Sequence, residues 1–297
     1  MASSDLFESL LDYQGSYFRL RNYAETTRRG YLSDQLLFVR FLKTEYGVSR
    51  VSDVERRHVI DYLTQAERHG ARGATIARKL AALRSFFGYL EEERRIASSP
   101  VRAIPPPKQE SAQPRILSQV EYARLKEAAA DDPRGRALIE VFLQTGIRLS
   151  EAARLRVEDV ALPDGQDLPA IGSMQVWGKG RKQRTITLNS KACEALSAYL
   201  ATRSAVDRRA PLFVSKYGTG LTPRSVQRIV ARWADSAGIS RATVHTLRHT
   251  FATHMVRKGT NLRVVQEALG HSSLQTTSRY VSLARELMDE QLEANAL

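Results

Sequence analysis

The 297-residue chain holds a single cysteine, Cys193. One thiol excludes an internal disulfide and a cysteine-built metal centre. Beside Ala192 and Leu196 in a helical run, it reads as a small buried apolar residue. Long hydrophobic runs are also missing, with nothing near the ~20 residues that cross a bilayer. No signal-like leader opens the chain, so a cytoplasmic protein with no membrane partner is expected. Clustered carboxylates spaced to hold Mg²⁺ are absent, and no metal or other cofactor is expected. The Gly178-Lys179-Gly180 stretch lacks the spacing of a phosphate-binding P-loop. Acidic residues are the minority: 32 Asp and Glu stand against 45 Lys and Arg, a net charge of +13. That excess points to a polyanionic partner, most often nucleic acid. Internal repeats are absent too.

What is present divides in two. Residues 1–97 carry four amphipathic helical patterns joined by short loops, which predicts a small helical bundle. Leu6, Leu10, Leu11 and Tyr17 mark the first. Tyr31, Leu37, Phe38, Phe41 and Leu42 mark the second, which stops at Gly47. Ser52 with Glu55 reads as a capping box opening a third helix that ends at Gly70. Ile76, Leu80, Leu83, Phe87 and Leu90 form the apolar stripe of the fourth. Arginines, among them Arg28, Arg29, Arg72, Arg78 and Arg84, crowd the polar faces. Residues 98–114 then hold five prolines (SSPVRAIPPPKQESAQP). Proline fixes φ and removes a backbone donor, so this stretch reads as an extended linker.

Residues 115–297 read as a second, mixed domain. Ser118 and Glu121 form a capping box for a helix to about Ala130. A further helix ends at Gly146, and Arg148 falls in the turn before a short helix that Ser150 is placed to cap. Glu151, three residues on, is the expected ion-pair partner of Arg148. Residues 173–188 alternate as a β-hairpin with Lys179, Arg181, Lys182 and Arg184 gathered at the tip. Helices over 189–203 and 222–237 follow, the second presenting Arg224, Arg228 and Arg232. The fold class expected is mainly α with a small β-sheet or hairpin.

The stretch from His245 to Tyr280 contains four of the six histidines. His245 and Arg248 lie three apart and share a helix face near an N-terminus, where anions bind well. His249 and His254 read as packing or surface positions. Gly270-His271 ends the next apolar helix. Arg279 and Tyr280 lie in the final helical run. Suppose Arg148, Lys179, His245, Arg248, His271 and Tyr280 converge. Two guanidiniums then hold the non-bridging oxygens of one phosphodiester and stabilise a pentacoordinate transition state without a metal. Tyr280 is the nucleophile candidate; its phenol, with an ordinary pKa of about 10, needs a proton acceptor, a role that suits His245. Lys179 is placed to protonate the leaving oxygen, and His271 to donate to a phosphate oxygen. The product is a DNA–phosphotyrosine ester that conserves bond energy, so rejoining needs no ATP.

The motifs TGIRLSE, GKGRKQR, HTLRHTFATH and LGHSSLQTTSRY, in this order, resemble the tyrosine recombinase (phage integrase) family, most of all its compact Xer-like members. The resemblance covers nearly the whole chain, because TTRRGYLSDQLLFVRFL is similar to the SAM-like core-binding domain. It implies Arg148 and Arg248 as the paired arginines, Lys179 as the hairpin lysine, His245 and His271 as the two histidines, Tyr280 as nucleophile and Glu151 as a supporting acid. It also implies a site-specific DNA strand transferase that is independent of metal and ATP. Such an enzyme forms a C-shaped clamp on DNA and works as a tetramer on two sites, through 3′-phosphotyrosine links and a Holliday junction. Its role would be integration or excision of a mobile element, or dimer resolution, at the nucleoid. The tetramer is expected to be homomeric, or heteromeric with a paralogue, with residues from about 283 to 297 docking on a neighbour. DNA contacts are expected from Arg28, Arg78, Arg84, Arg181, Lys182, Arg184, Arg224 and Arg228. Two readings compete: a type IB topoisomerase-like relaxing enzyme, and a catalytically idle DNA-binding regulator.

Overall fold

A computed structural model describes residues 5–20, 23, 25–107, 113–163, 171–178, 183–203, 207–271, 277–278 and 280–285. The chain divides into two compact units, Met1–Ala112 and Gln113–Leu297. Among the described residues no helix is long and apolar enough to cross a membrane.

The first unit contains α1 (Leu6–Gly15), α2 (Tyr17–Leu20), α3 (Glu25–Tyr46), α4 (Arg56–Arg68) and α5 (Gly73–Glu92). All five residues of the expected α5 stripe, Ile76, Leu80, Leu83, Phe87 and Leu90, are buried. They meet Leu6, Leu10, Tyr13, Phe38 and Leu42 in one core. Leu11 and Leu37 are exposed instead, because the inward arcs of α1 and α3 are already filled by Leu6, Leu10, Phe38 and Leu42. The helix start expected at Ser52 lies three residues later. Ser52 sits in a 3₁₀ turn, Val51–Asp53, and Glu55 caps α4, its N–H donating to His58 Nδ1 at 3.0 Å. Buried Val51 and Val54 pin the intervening turn to the core, which fixes where α4 can begin. The proline-bearing stretch is not wholly a tether. Val101 and Ile104 are buried in the core of this unit, and the Ile104 carbonyl accepts from Arg84.

The second unit holds α6 (Gln119–Ala128), α7 (Pro133–Thr145), α8 (Leu149–Ala152), β1 (Val160–Ala161), β2 (Gly172–Trp177), β3 (Gln183–Leu188), α9 (Ser190–Ala201), α10 (Pro223–Ser236), α11 (Val244–Arg257) and α12 (Leu262–Leu269). Helical residues recur at 277–278 and 280–285. The Ser118–Glu121 capping box forms, with the Glu121 N–H donating to Ser118 Oγ at 3.1 Å and the Ser118 N–H donating to Glu121 Oε2 at 2.9 Å. α7 is buried over most of its length and packs against α9, α10 and α11. The expected hairpin pairs antiparallel from Gly172↔Leu188 to Trp177↔Gln183, and β1 adds a third strand in the order β1-β2-β3. Met174 and Val176 on β2, with Ile186 and Leu188 on β3, alternate into the core, the period-two burial of a one-sided sheet. Cys193 is buried in the same core. Ser150 does not cap α8. Arg148 holds that position, and its N–H donates to Glu151 Oε2 at 2.8 Å.

Candidate active site

Two helix ends build the centre of the site. α7 closes on Gly146 (φ +61°) and α12 on Gly270 (φ +63°), both left-handed, a conformation glycine adopts without Cβ strain. A helix C-terminus leaves carbonyls without partners and carries the negative end of the dipole. Here two guanidiniums satisfy them, that of Arg248 buried and that of Arg148 half-buried. Arg248, 6% exposed on the first turns of α11, donates to the Gly146 carbonyl and to the Leu269 carbonyl at 2.8 Å. Arg148 donates to the Gly270 carbonyl. Thr243 caps α11, its hydroxyl accepting from the Thr246 N–H at 3.2 Å, which sets the rotation that turns Arg248 inward.

One carboxylate serves two guanidiniums. Glu151, 4% exposed, accepts from Arg148 Nη1 at 2.9 Å and from Arg184 Nη1 and Nη2 at 2.9 and 2.8 Å. Burial pushes its carboxyl up. The Arg184 and Arg148 hydrogen bonds and the Arg184 charge outweigh that and hold it below the ordinary glutamate range. Arg248 is affected in the opposite sense. Burial first, then the Arg148 charge, draws its pKa down to about 10. Arg148, Arg184 and Arg248 share Glu151 as their neutralising carboxylate among the described contacts, so the cluster carries excess positive charge suited to a phosphate.

The remaining groups gather beside it. Tyr280 is 1% exposed among Phe251, Ala252, Val265 and Leu269. Its hydroxyl lies 2.9 Å from His249 Nδ1, and its phenol acts on the charge of Arg248. The His271 ring stacks 6.3 Å from the Tyr280 ring at 12°, and its Nδ1 lies 3.0 Å from Thr277 Oγ1. His245 is exposed one turn before His249, with ring centroids 6.5 Å apart. Arg148, Glu151, Arg248, His271 and Tyr280 are therefore brought together around the ends of α7 and α12. Lys179, Arg181, Lys182 and Arg279 lie outside the described residues. His249 and Arg184 are the two contributors whose contacts the sequence left unread. The i, i+4 spacing of His245 and His249 was the available signal for the first.

The expected DNA-contact arginines differ in setting. Arg224 and Arg228 are exposed on α10. Arg28 pairs with Glu25 at 3.8 Å. Arg78 pairs with buried Asp34, which Lys79 Nζ also approaches at 3.5 Å. Arg84 is bonded to the Ile104 carbonyl, and Arg184 turns its donors onto protein acceptors. Among the described residues no group of three or more His, Cys, Asp or Glu is placed to hold a metal ion.

The model of the phage integrase family matches residues 114–286, and that of the phage integrase N-terminal SAM-like domain matches residues 11–94. Tyrosine recombinase XerC of Thermodesulfovibrio yellowstonii is 37% identical over 266 residues, spanning 86% of this chain and 84% of its own. The crystal structure of the XerH site-specific recombinase bound to palindromic difH substrate, a post-cleavage complex, is 25% identical with a TM-score of 0.74, covering 97% of this chain and 84% of that one. A lambda integrase tetramer bound to a Holliday junction shares the fold at a TM-score of 0.73 and 20% identity, over 92% of this chain and 79% of the other. The chain belongs to the phage integrase family and is a site-specific tyrosine recombinase.

Proposed function

We propose that Tyr280 is the nucleophile and that Arg148 and Arg248 hold the non-bridging oxygens of the scissile phosphate. The phenol oxygen attacks phosphorus, the bond to the 5′ oxygen breaks, and a 3′-phosphotyrosine and a free 5′ hydroxyl result. His245 takes the phenolic proton, Lys179 protonates the leaving oxygen, and His271 donates to a phosphate oxygen. Glu151 supports Arg148. The observation that carries this reading is the pair of guanidiniums anchored on two helix C-termini, with Glu151 bonded to Arg148. A scissile phosphate supplies the missing negative charge. Because Tyr280 is 1% exposed, its segment shifts before a phosphate reaches the hydroxyl, so cleavage is coupled to DNA binding or assembly. Single-turnover cleavage of a nicked duplex tests the roles: Arg148→Ala and Arg248→Ala each lose cleavage while retaining DNA binding. Equal rates in either variant would sink its assignment.

The DNA is bound by both units, with Arg224 and Arg228 of exposed α10 contributing in the second. The working assembly is a homotetramer on two sites, acting in the cytoplasm at the nucleoid. A cavity of about 790 Å³ in the second unit supports a docking role for the C-terminal segment. Leu117, Leu143 and Phe251 give it apolar walls, and Lys191 and Arg257 give it positive charge. Residues 286–297 combine Leu287, Met288 and Leu292 with Glu286, Asp289, Glu290 and Glu293, a complementary set. Removing 286–297 leaves the monomer folded and abolishes recombination; unchanged recombination would overturn the docking.

A further inference from the structure

Arg184 lies on β3, within the basic hairpin that is the obvious candidate for a DNA contact, yet its side chain is only 17% exposed. Nη1 and Nη2 make a two-pronged bond to Glu151 at 2.9 and 2.8 Å, and Nε donates to the Ala268 carbonyl at 3.2 Å. A guanidinium has five N–H groups in a rigid plane, and using three of them in two directions fixes that plane. The Arg148 side chain is about twice as open, at 36%, and it donates to Glu151 Oε1 and the Gly270 carbonyl. Arg148 thus presents its remaining N–H groups outward, from a plane set by the partner that Arg184 immobilises.

Three chain segments meet at the two guanidiniums that Glu151 joins: the turn after α7 carries Arg148, strand β3 carries Arg184, and the end of α12 that leads into His271 accepts from both. The packing at that junction is tight. A Cβ on Gly270 would stand 2.8 Å from Arg184 Nη1 and 3.0 Å from Arg148 Nη1. Without Arg184, the carboxylate keeps its two bonds from Arg148 but loses the two from Arg184, and burial then favours its protonation. A neutral or rotated Glu151 no longer fixes Arg148.

We propose that Arg184 is a positioning residue for strand cleavage: it orients Glu151 and, through it, Arg148, and it does not bind DNA. The proposal rests on the reading of Arg148 as a phosphate-holding group. It separates cleavage from affinity, which neither a DNA-contacting nor a merely structural arginine does.

The test compares wild type with Arg184→Gln, Arg184→Lys and Arg148→Ala on a nicked duplex that the wild-type protein cleaves. One version of the duplex has an ordinary scissile phosphodiester. The other has a methylphosphonate there, which is neutral and has no charge for a second guanidinium to balance. The proposal expects Arg184→Gln to slow single-turnover cleavage roughly ten- to a hundredfold, the scale of one lost charge-assisted contact in the transition state. DNA affinity and its salt dependence stay at wild-type values. Arg184→Lys, which keeps the charge and one donor to Glu151, recovers part of the rate. On the methylphosphonate the deficit shrinks for Arg184→Gln as it does for Arg148→Ala. Weakened binding with the salt slope reduced by about one phosphate contact would overturn the proposal in favour of a DNA contact. A deficit equal on both linkages, matched by a smaller folded fraction, would overturn it in favour of a structural ion pair. If Arg148→Ala itself cleaves normally, the reading of Arg148 fails; if only Arg184→Gln does, the positioning role fails alone.

Discussion

Gly270→Ala is a one-carbon change that strikes two different quantities, and the structure says how much of each. Gly270 has φ +63°, where an alanine costs about 1–2 kcal/mol relative to glycine. That strain is present with or without DNA, so it lowers the melting temperature of the catalytic unit by a few degrees and leaves the cleavage rate alone. The added Cβ also falls 2.8 Å from Arg184 Nη1, 2.9 Å from its Cζ and 3.0 Å from Arg148 Nη1. All are closer than ordinary carbon contacts, so the side chains must give way. Neither guanidinium can swing freely, since Glu151 and the Gly270 carbonyl hold Arg148, and Glu151 and the Ala268 carbonyl hold Arg184. The displacement is therefore passed to the face that Arg148 presents to phosphate. A misaligned charge-assisted hydrogen bond forfeits about 1.5–3 kcal/mol, which is roughly a ten- to hundredfold loss of cleavage rate. Thermal unfolding and single-turnover cleavage, run on the same preparation, separate the two effects. A variant that is less stable yet cleaves within about twofold of wild type would refute the claim that Gly270 shapes the arginine pair.

Three other substitutions probe packing and charge. Glu151→Gln leaves two guanidiniums against a neutral group and costs about 3 kcal/mol at neutral pH. Because the folded-state pKa of Glu151 lies below its ordinary 4.5, its contribution is complete above that value and is lost as pH falls through the folded value. The stability gap between wild type and Glu151→Gln in urea unfolding therefore closes in acid; a gap that widens there contradicts the ion-pair assignment. Gly88→Ala and Gly135→Ala make opposite predictions from the same chemistry. Gly88, inside α5, has open space where a Cβ would go, so alanine gains about 0.5–1 kcal/mol from helix propensity. At Gly135 the Cβ would fall 2.3 Å from Trp233 Nε1, whose bond to Asp132 Oδ2 is 3.2 Å, and overpacking of about 1–3 kcal/mol outweighs the propensity gain. Melting temperatures that move in the same direction would show that one of these environments is misjudged.

Much of the architecture was legible because strong periodicity and burial agree. The α5 stripe is buried at every position read from it, and the alternation in residues 173–188 returns as β2 and β3 in register. The Ser118–Glu121 box and the Gly146 stop are local chemistry that tertiary packing leaves untouched. What escaped was set by contacts distant in sequence. Val160–Ala161 is too short to show alternation and is a strand only because β2 lies beside it. Val101 and Ile104 sit among prolines, and nothing local says that the first core will cover them. Leu37 looks inward by type but faces outward, since helical phase is decided by which neighbours fill the core first. In the candidate site, residue types pointed to the chemistry, whereas the wiring between them did not follow from spacing. Arg184 in a basic hairpin looks like a DNA contact until the fold brings Glu151, 33 residues earlier, against its guanidinium. His249 looked like packing until the last helical segment placed the Tyr280 hydroxyl 2.9 Å away.

If the Tyr280 hydroxyl is the atom that cleaves DNA, a covalent-adduct assay will capture the protein–DNA ester through it. Wild type and Tyr280→Phe are incubated with nicked duplexes drawn from the protein's own genomic neighbourhood, and a denaturant-resistant protein–DNA band is sought. Wild type gives a band, Tyr280→Phe loses it, and the variant binds DNA as wild type does. A band of equal intensity with Tyr280→Phe would place the nucleophile on another residue.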